Sequence, residues 1–311
     1  MPAPQVSVVL PTHNRSAMLR KSLRSALDQD GIVLEVIVID DGSSDDTAEQ
    51  LARISDRRLT VLRNRSPQGV ARARNAGIER ARGEWIAFLD DDDFWAPGYL
   101  RAQLAIAAEQ GLSLCYSGRI EIDERGEVIN NAYSPQPGRL ARRLLANNAI
   151  GGPTGVVVRA DLLARIGGFD ERLSALADWD LWIRAARGGR AGACAEPLVA
   201  HRNHPTRMMV TDAATIMAEF ELLREKHGDA ARAAGIGFGA GWLGRWTAAR
   251  NLAAGRRAKA AAGFLGSALR ERSVRDLARA AGALGGGPLQ RLGRIAEARV
   301  TARPEWLDRY A

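Results

Sequence analysis

The chain of 311 residues has little cysteine, little lysine and no long apolar run. Two cysteines, Cys115 and Cys194, are too few to staple a fold, and neither has metal-ligand spacing around it, so disulfide scaffolds and zinc modules are excluded and both read as buried apolar fillers. Nowhere do about 18 apolar residues run together, as a bilayer span needs. The longest uncharged stretch late in the chain, Ala233–Gly244, has 12 residues, five of them glycine. The N-terminus, MPAPQVSVVLPTHN, has no basic leader before its first strand, which sets the expectation of a cytoplasmic protein with reduced thiols. Aromatics make up 5% of the chain, and lysine contributes 3 of its 44 basic residues.

Charge and apolar content are ample: 46% hydrophobic, 26% charged, formal net charge +8. This composition belongs to a folded chain large enough for a substantial core. The excess charge is not spread evenly. Residues 212–311 hold 17 basic against 10 acidic residues, while residues 1–211 are nearly balanced at 27 against 26. No nucleic-acid module accompanies the charge, so nucleic acid is not expected as a partner.

The first ninety residues alternate strand and helix signals. Strands are expected at Val6–Leu10, Val33–Asp40, Leu59–Arg63 and Glu84–Leu89. Helices are expected over Ser16–Asp28, from Ser44 with Asp45 and Asp46 in its first turn, and over Gly69–Arg82. Strands separated by such helices form right-handed crossovers and a parallel sheet, whose ligands sit beyond the strands' carboxyl ends. Thr12, Asp40–Asp41 and Asp90–Asp93 all fall at such ends. Further on, Leu112–Tyr116, Arg119–Asp123 and Val156–Val158 read as short strands, and Asp161–Ile166 and Asp180–Arg187 as helices. Beyond about residue 211 an Ala/Arg/Leu-rich region reads as several helices, with breaks at Gly255 and Gly285–Pro288.

Two acidic clusters carry the chemistry. Asp90-Asp91-Asp92-Asp93 follows the apolar WIAFL, and four adjacent carboxylates at a buried strand end repel one another unless a cation intervenes. In extended chain Asp90 and Asp92 share a side. A hard divalent ion, Mg²⁺ or Mn²⁺, held by carboxylates and a substrate's phosphates, resolves the repulsion. The pair Asp40-Asp41 ends a strand before Gly-Ser-Ser-Asp-Asp-Thr, as either an acceptor for a nucleobase or ribose or a turn with a helix cap.

Four segments in order, PTHNR at 11–15, VIDDGSSDDT at 38–47, GVARARNAGIERARGEWIAFLDDDDFW at 69–95 and GGFDERLSALADWDLWIRAARGG at 167–189, resemble a family 2 glycosyltransferase over about residues 5–205. The resemblance implies an α/β GT-A (nucleotide-diphospho-sugar transferase) fold with a mainly parallel central sheet, assigned to residues 1–210, and the composition beyond it gives an all-helical extension over 211–311. It implies an inverting hexosyltransferase-type enzyme that uses a nucleotide-diphospho-sugar, a UDP-sugar foremost, and Mn²⁺ or Mg²⁺. It would build cell-surface polysaccharide or glycolipid on a saccharide or lipid-linked acceptor, at the inner face of the cell membrane if peripheral.

Carried over by motif, Pro11, Thr12, Asn14, Arg15, Asp40, Asp41, Arg74, Asn75, Asp90 and Asp91 would surround the donor, with Arg74 neutralising diphosphate charge. Asp92, the last residue of the D-x-D position, would hold the metal, joined by His204 of HRNHP. Asp178 falls on the general base's position before a Leu-Trp helix, though Ala177 replaces the glutamate that usually precedes it. The bland reading of Asp178 is a helix cap. Trp95 is expected on the acceptor side, Trp179 there or in the core, and Asp180 as a helix-start or acceptor-side residue. A non-catalytic nucleotide-sugar-binding or scaffolding subunit is the alternative, with Ala177 as its hint. The basic helices would either meet an anionic membrane or pack on the catalytic part or a second copy.

Overall fold

The computed structural model describes residues 3–132, 139–204, 213–271, 273–285 and 303–310. The expected domain border at 210/211, residues 133–138, Arg272 and the 286–288 part of the expected break lie outside these residues.

Strands β1 (Val6–Thr12), β2 (Leu34–Asp40), β3 (Leu59–Arg63) and β4 (Trp85–Phe88) lie side by side, all parallel, in the order β3-β2-β1-β4. The connecting helices are α1 (Ser16–Leu27), α2 (Thr47–Ala52) and α3 (Val70–Arg80). Helix α2 starts later than Ser44 because Asn14 Oδ1 takes the Ser44 and Asp45 backbone N–H groups and the Ser44 hydroxyl, holding them in a loop. Every residue of β1 and β2 is buried, which is why both strands read as continuous apolar runs.

Beyond the first ninety residues come β5 (Phe94–Trp95), α4 (Tyr99–Gln110), β6 (Leu114–Ile122), β7 (Val128–Ala132), α5 (Leu140–Ala146), β8 (Val156–Arg159), α6 (Ala160–Ile166), α7 (Ala177–Gly188) and β9 (Ala191–Arg202). They extend the sheet as β4-β8-β6-β9-β5, with β7 on β6. Strand β8 is antiparallel to both β4 and β6, and β6 is parallel to β9, so six of the nine strands share one direction. The two short strands expected between Leu112 and Asp123 are one strand, β6.

Alternate residues feed two cores, one on each face of the sheet. Val8, Leu10, Val36 and Val38 meet Leu19 and Leu23 of α1 and Tyr99 and Leu100 of α4. Val9, Ile37, Ile39 and Phe88 meet Ala73 of α3, the aromatics of α7, and Phe220 and Leu223 of the helix that follows β9. Helix α3 lies so close to the sheet at Gly77 that a Cβ there would stand 2.5 Å from Val9 Cγ1 and 2.9 Å from Ile39 Cδ1.

The chain then runs through α8 (Ala213–Ala233), α9 (Ala240–Ala253), α10 (Arg257–Glu271) and α11 (Val274–Leu284). Trp242 of α9 stacks 5.3 Å from Phe220 and lies 5.5 Å from Trp179. Helix α10 packs between α9 and α11 through Ala248, Ala260, Phe264, Ala280 and Ala283. Leu307 and Tyr310 return to the sheet and cover Phe94, Ile120 and Ala200. Among the described residues, no helix is long and apolar enough to cross a membrane.

Candidate active site

The site forms at the carboxyl ends of β1, β2 and β4. In-register pairing sets Thr12 beside Asp40, and the acidic run begins one residue beyond β4, after Leu89. Thr12 Oγ1 donates to Asp91 Oδ2 at 2.7 Å. Arg15, at the start of α1, places Nη1 3.0 Å from Asp91 Oδ1 and 2.9 Å from Asp92 Oδ2. On the other flank, His204 Nε2 lies 2.9 Å from Asp92 Oδ2. Burial, with the charge of Asp92 beside it, pushes the Asp91 carboxyl up to about 7 although Arg15 pulls the other way.

Asp90, Asp92 and Asp93 can each offer an oxygen, all within 4.8 Å of one another. Carboxylate oxygens with an imidazole at their edge are the donor set that Mn²⁺ accepts, and the oxygens alone suit Mg²⁺. These residues fit such an ion. Asp93 was not singled out by the sequence reading; it is fully buried, accepting from the Thr154 hydroxyl at 2.7 Å and the Arg202 backbone N–H at 3.1 Å. His201 Nε2 is 3.3 Å from Asp93 Oδ2.

Arg74 of α3 reaches Asp90 Oδ1 at 2.6 Å, and its guanidinium lies over the Phe169 ring. Asp178, second residue of α7, faces the same pair. Burial raises its carboxyl to about 6, the charge of Asp90 adds to the rise, and Arg74 and the Trp179 N–H oppose it. Surrounded by protein, Asp178 nevertheless keeps part of its surface open. Its Oδ1 takes the Trp179 N–H at 2.7 Å, and Asn148 Nδ2 stands 3.5 Å from Oδ2. Asp178 thus lies in the first turn of α7, where it bonds the next residue's N–H, rather than at the N-cap, which is Leu176.

Other expected donor residues hold loops. Asp41 accepts from Asn64 Nδ2 at 2.7 Å and from the N–H groups of Gln68 and Gly69, fixing the approach to α3. Asn14, at φ 53°, ties the 43–45 loop to the end of β1. Asn75 links α3 to the 169–171 turn by exchanging hydrogen bonds with the Phe169 backbone. Pro11 is buried within β1. Asp40 is wholly enclosed; Ser43 N–H occupies Oδ1, and Arg63 Nε lies 3.2 Å from Oδ2.

Three expectations need correction. Trp95 and Trp179 are fully buried rather than lining an acceptor surface. The Trp95 indole donates to the Thr154 carbonyl and its ring stacks on Tyr99, while the Trp179 indole donates to the Leu144 carbonyl. Asp180 is also fully buried, bonded to His227, Arg184 and Lys226, so it ties α7 to α8. Burial works to raise its pKa, but these partners hold it at about 2.

A second carboxylate that the sequence reading missed fixes α7 from outside. Glu219 of α8 accepts the backbone N–H groups of Ser174, Ala175 and Leu176 and the Ser174 hydroxyl, at 2.6–3.3 Å. It serves as a cap delivered from another helix, immediately before Asp178.

The family model for glycosyl transferase family 2 matches residues 7–167, the region that builds this cleft. The chain belongs to that family. Among curated relatives of this family 2 chain, the UDP-Glc:alpha-D-GlcNAc-diphosphoundecaprenol beta-1,3-glucosyltransferase WfgD of Escherichia coli is 34% identical over 154 residues, 50% of this chain and 60% of that protein. The succinoglycan biosynthesis protein ExoO of Rhizobium meliloti is 41% identical over 114 residues, 36% of this chain and 32% of its own length. The family 2 chain thus spans about three fifths of the E. coli relative. In fold it is similar to S. aureus TarS 1-349 in complex with UDP-GlcNAc, with a TM-score of 0.60 and 20% identity over 93% of this chain and 82% of that one.

Proposed function

We propose that the protein transfers a sugar from a nucleotide-diphospho-sugar, a UDP-sugar foremost, to a hydroxyl of a saccharide or lipid-linked acceptor in surface polysaccharide or glycolipid synthesis. The observation that carries the reading is the meeting of Asp178, Arg74 and the Asp90–Asp93 run at one cleft. The relatives support the substrate class: WfgD is named for a UDP-glucose donor and a diphosphoundecaprenol-linked acceptor, and TarS holds UDP-GlcNAc.

Asp178 accepts the proton of the acceptor hydroxyl while that oxygen bonds to the anomeric carbon. The bond from that carbon to the diphosphate breaks, and a single displacement inverts the configuration. Arg74 and Arg15 supply fixed positive charge toward the departing diphosphate. Asp92, with Asp90, Asp93 and His204, would hold Mn²⁺ or Mg²⁺, which when bound stabilises negative charge on the diphosphate. The basic helical part would place the enzyme at an anionic membrane surface on the side where nucleotide sugars are made.

The test is a nucleotide-sugar panel read by thermal shift with and without Mn²⁺, followed by transfer assays. Stabilisation by one nucleotide class, enhanced by the ion, and transfer lost in Asp92→Asn and in Asp178→Asn are expected. Full transfer by the double variant overturns the reading. Tight donor binding with no turnover across an acceptor panel favours the binding-subunit alternative.

A further inference from the structure

A pocket next to the acidic run is lined by Lys21, Phe94, Glu124, Arg125, Arg202 and Arg303. It is framed by α1, β5, the turn after β6, the end of β9 and the returning 303–310 segment. Four cations face one carboxylate across it. Arg303 is satisfied: Asp308 lies at 3.0 Å, Glu127 at 3.7 Å, and the Gly126 carbonyl accepts from it. Among the described residues, Lys21, Arg125 and Arg202 have no carboxylate within ion-pair distance.

The arrangement is costly as it stands. The Arg202 guanidinium lies over the Phe94 ring, 5.4 Å from its centre, with a buried Nε that has no hydrogen-bond partner. Partial burial and the repulsion of Arg202 together lower the Lys21 pKa. Facing cations with no counter-ion between them are costly. A bound oxyanion relieves the repulsion. Arginine forks with a lysine point charge, converging from three elements, suit a tetrahedral phosphate with several acceptor oxygens. Its position is tied to the reaction: the Arg202 backbone N–H holds Asp93, and two residues later the same chain presents His204 to Asp92.

We propose that this pocket is a phosphate-binding subsite outside the donor site and, resting on the glycosyltransferase reading, that the phosphate it takes is one carried by the acceptor.

The experiment uses the full chain, saturated with UDP so that the donor diphosphate site is filled, and titrates sodium phosphate against sodium chloride of matched ionic strength by thermal unfolding. Lys21→Glu removes a cation and supplies Arg202 with a built-in counter-ion; Lys21→Met removes the charge alone and carries the test if the glutamate variant fails to fold. Phosphate stabilisation is expected to need roughly tenfold more phosphate in Lys21→Glu, with Lys21→Met between. Identical phosphate titrations for wild type and Lys21→Met or Lys21→Glu overturn the subsite. A second arm compares transfer to a sugar on a short isoprenyl diphosphate with transfer to its methyl glycoside. The diphosphate acceptor's KM advantage should fall roughly tenfold in Lys21→Glu, while kcat on the methyl glycoside stays unchanged. A phosphate titration that shifts while the acceptor preference does not upholds the subsite and assigns it to free phosphate. Absence of turnover with any acceptor counts against the glycosyltransferase reading, and the first arm still decides the pocket.

Discussion

At the residue scale the chemistry turns on a carboxyl held partly out of water. The proposed general base, Asp178, must be ionised to act, so its rise to about 6 predicts an acid limb of the transfer reaction there. Transfer should increase as pH rises through about 6 and level off above it, and Asp178→Asn should abolish that limb with at least a hundredfold loss of kcat, about the least a positioned base contributes. Initial rates across pH at saturating donor check this, and a limb retained in the variant rejects Asp178 as its source. The same raised pKa has a stability sign. Between about pH 4 and 6 the folded chain keeps a proton that the unfolded chain has released, so stability falls as pH rises through this window. Asp178→Asn should therefore raise the melting temperature at neutral pH, by up to roughly 3 kcal/mol in stability; a variant less stable than wild type at pH 7.5 would contradict it. That Asp178, Asp92 and His204 lie around the acidic run was legible because each sits in a motif. Trp95 and Trp179 were misjudged because an aromatic beside an acidic segment reads the same whether it lines a cleft or fills a core, and only packing separates the two.

At the scale of elements, the parallel half was readable because β1 and β2 are continuous β-branched runs and their helices have apolar periodicity. Strand β9 was not, since AGACAEPLVAHR breaks its apolar pattern with glycine and proline and takes its place only by pairing with β6 and β5. The grip of α8 on α7 was equally hidden: Glu219, Lys226 and His227 lie 41 or more positions from Asp178, and nothing local couples them. That grip predicts an effect at a distance. Glu219→Ala strips a charged acceptor from three buried or half-buried N–H groups and should cost about 2–3 kcal/mol. It should also lower kcat more than donor affinity, because the segment it releases orients Asp178; Glu219→Gln should recover part of both. Urea unfolding together with steady-state kinetics decides, and unchanged kcat in a destabilised Glu219→Ala would reduce the contact to a structural one. Packing of α3 on the sheet gives a second test. A side chain at Gly77 would collide with Val9 and Ile39, so Gly77→Val should destabilise by about 1–3 kcal/mol or more, measured by the same unfolding transition.

For the whole molecule, the open question is what the helical part faces. Its inner surface is spent: α9 packs on Trp179 and Phe220, and α10 lies between α9 and α11. Its outer surface is unusual, because Leu265 and Leu269 of α10 and Val274, Leu277 and Leu284 of α11 are all exposed, Val274 at 77% and Leu269 at 74%. On α11, positions 274, 277, 281 and 284 recur at helical spacing, so the exposed residues form one stripe. Residues 212–311 carry most of the chain's net positive charge, and Arg256, Arg257, Lys259 and Arg279 fall in this stretch of sequence in addition to Arg270, Arg272 and Arg275, of whose side chains the structure describes none. An apolar stripe within an arginine-rich stretch of sequence complements the interface of an anionic membrane, where apolar side chains enter the acyl boundary and cations meet headgroups. The protein should therefore sediment with vesicles containing phosphatidylglycerol, weakly with neutral ones, and less as salt rises. Val274→Asp with Leu277→Asp should release it while leaving transfer to a soluble acceptor intact, since both side chains are exposed on α11. A concentration-dependent dimer that the same pair of substitutions dissolves, with no vesicle binding at low salt, would instead assign the stripe to a second copy of the chain.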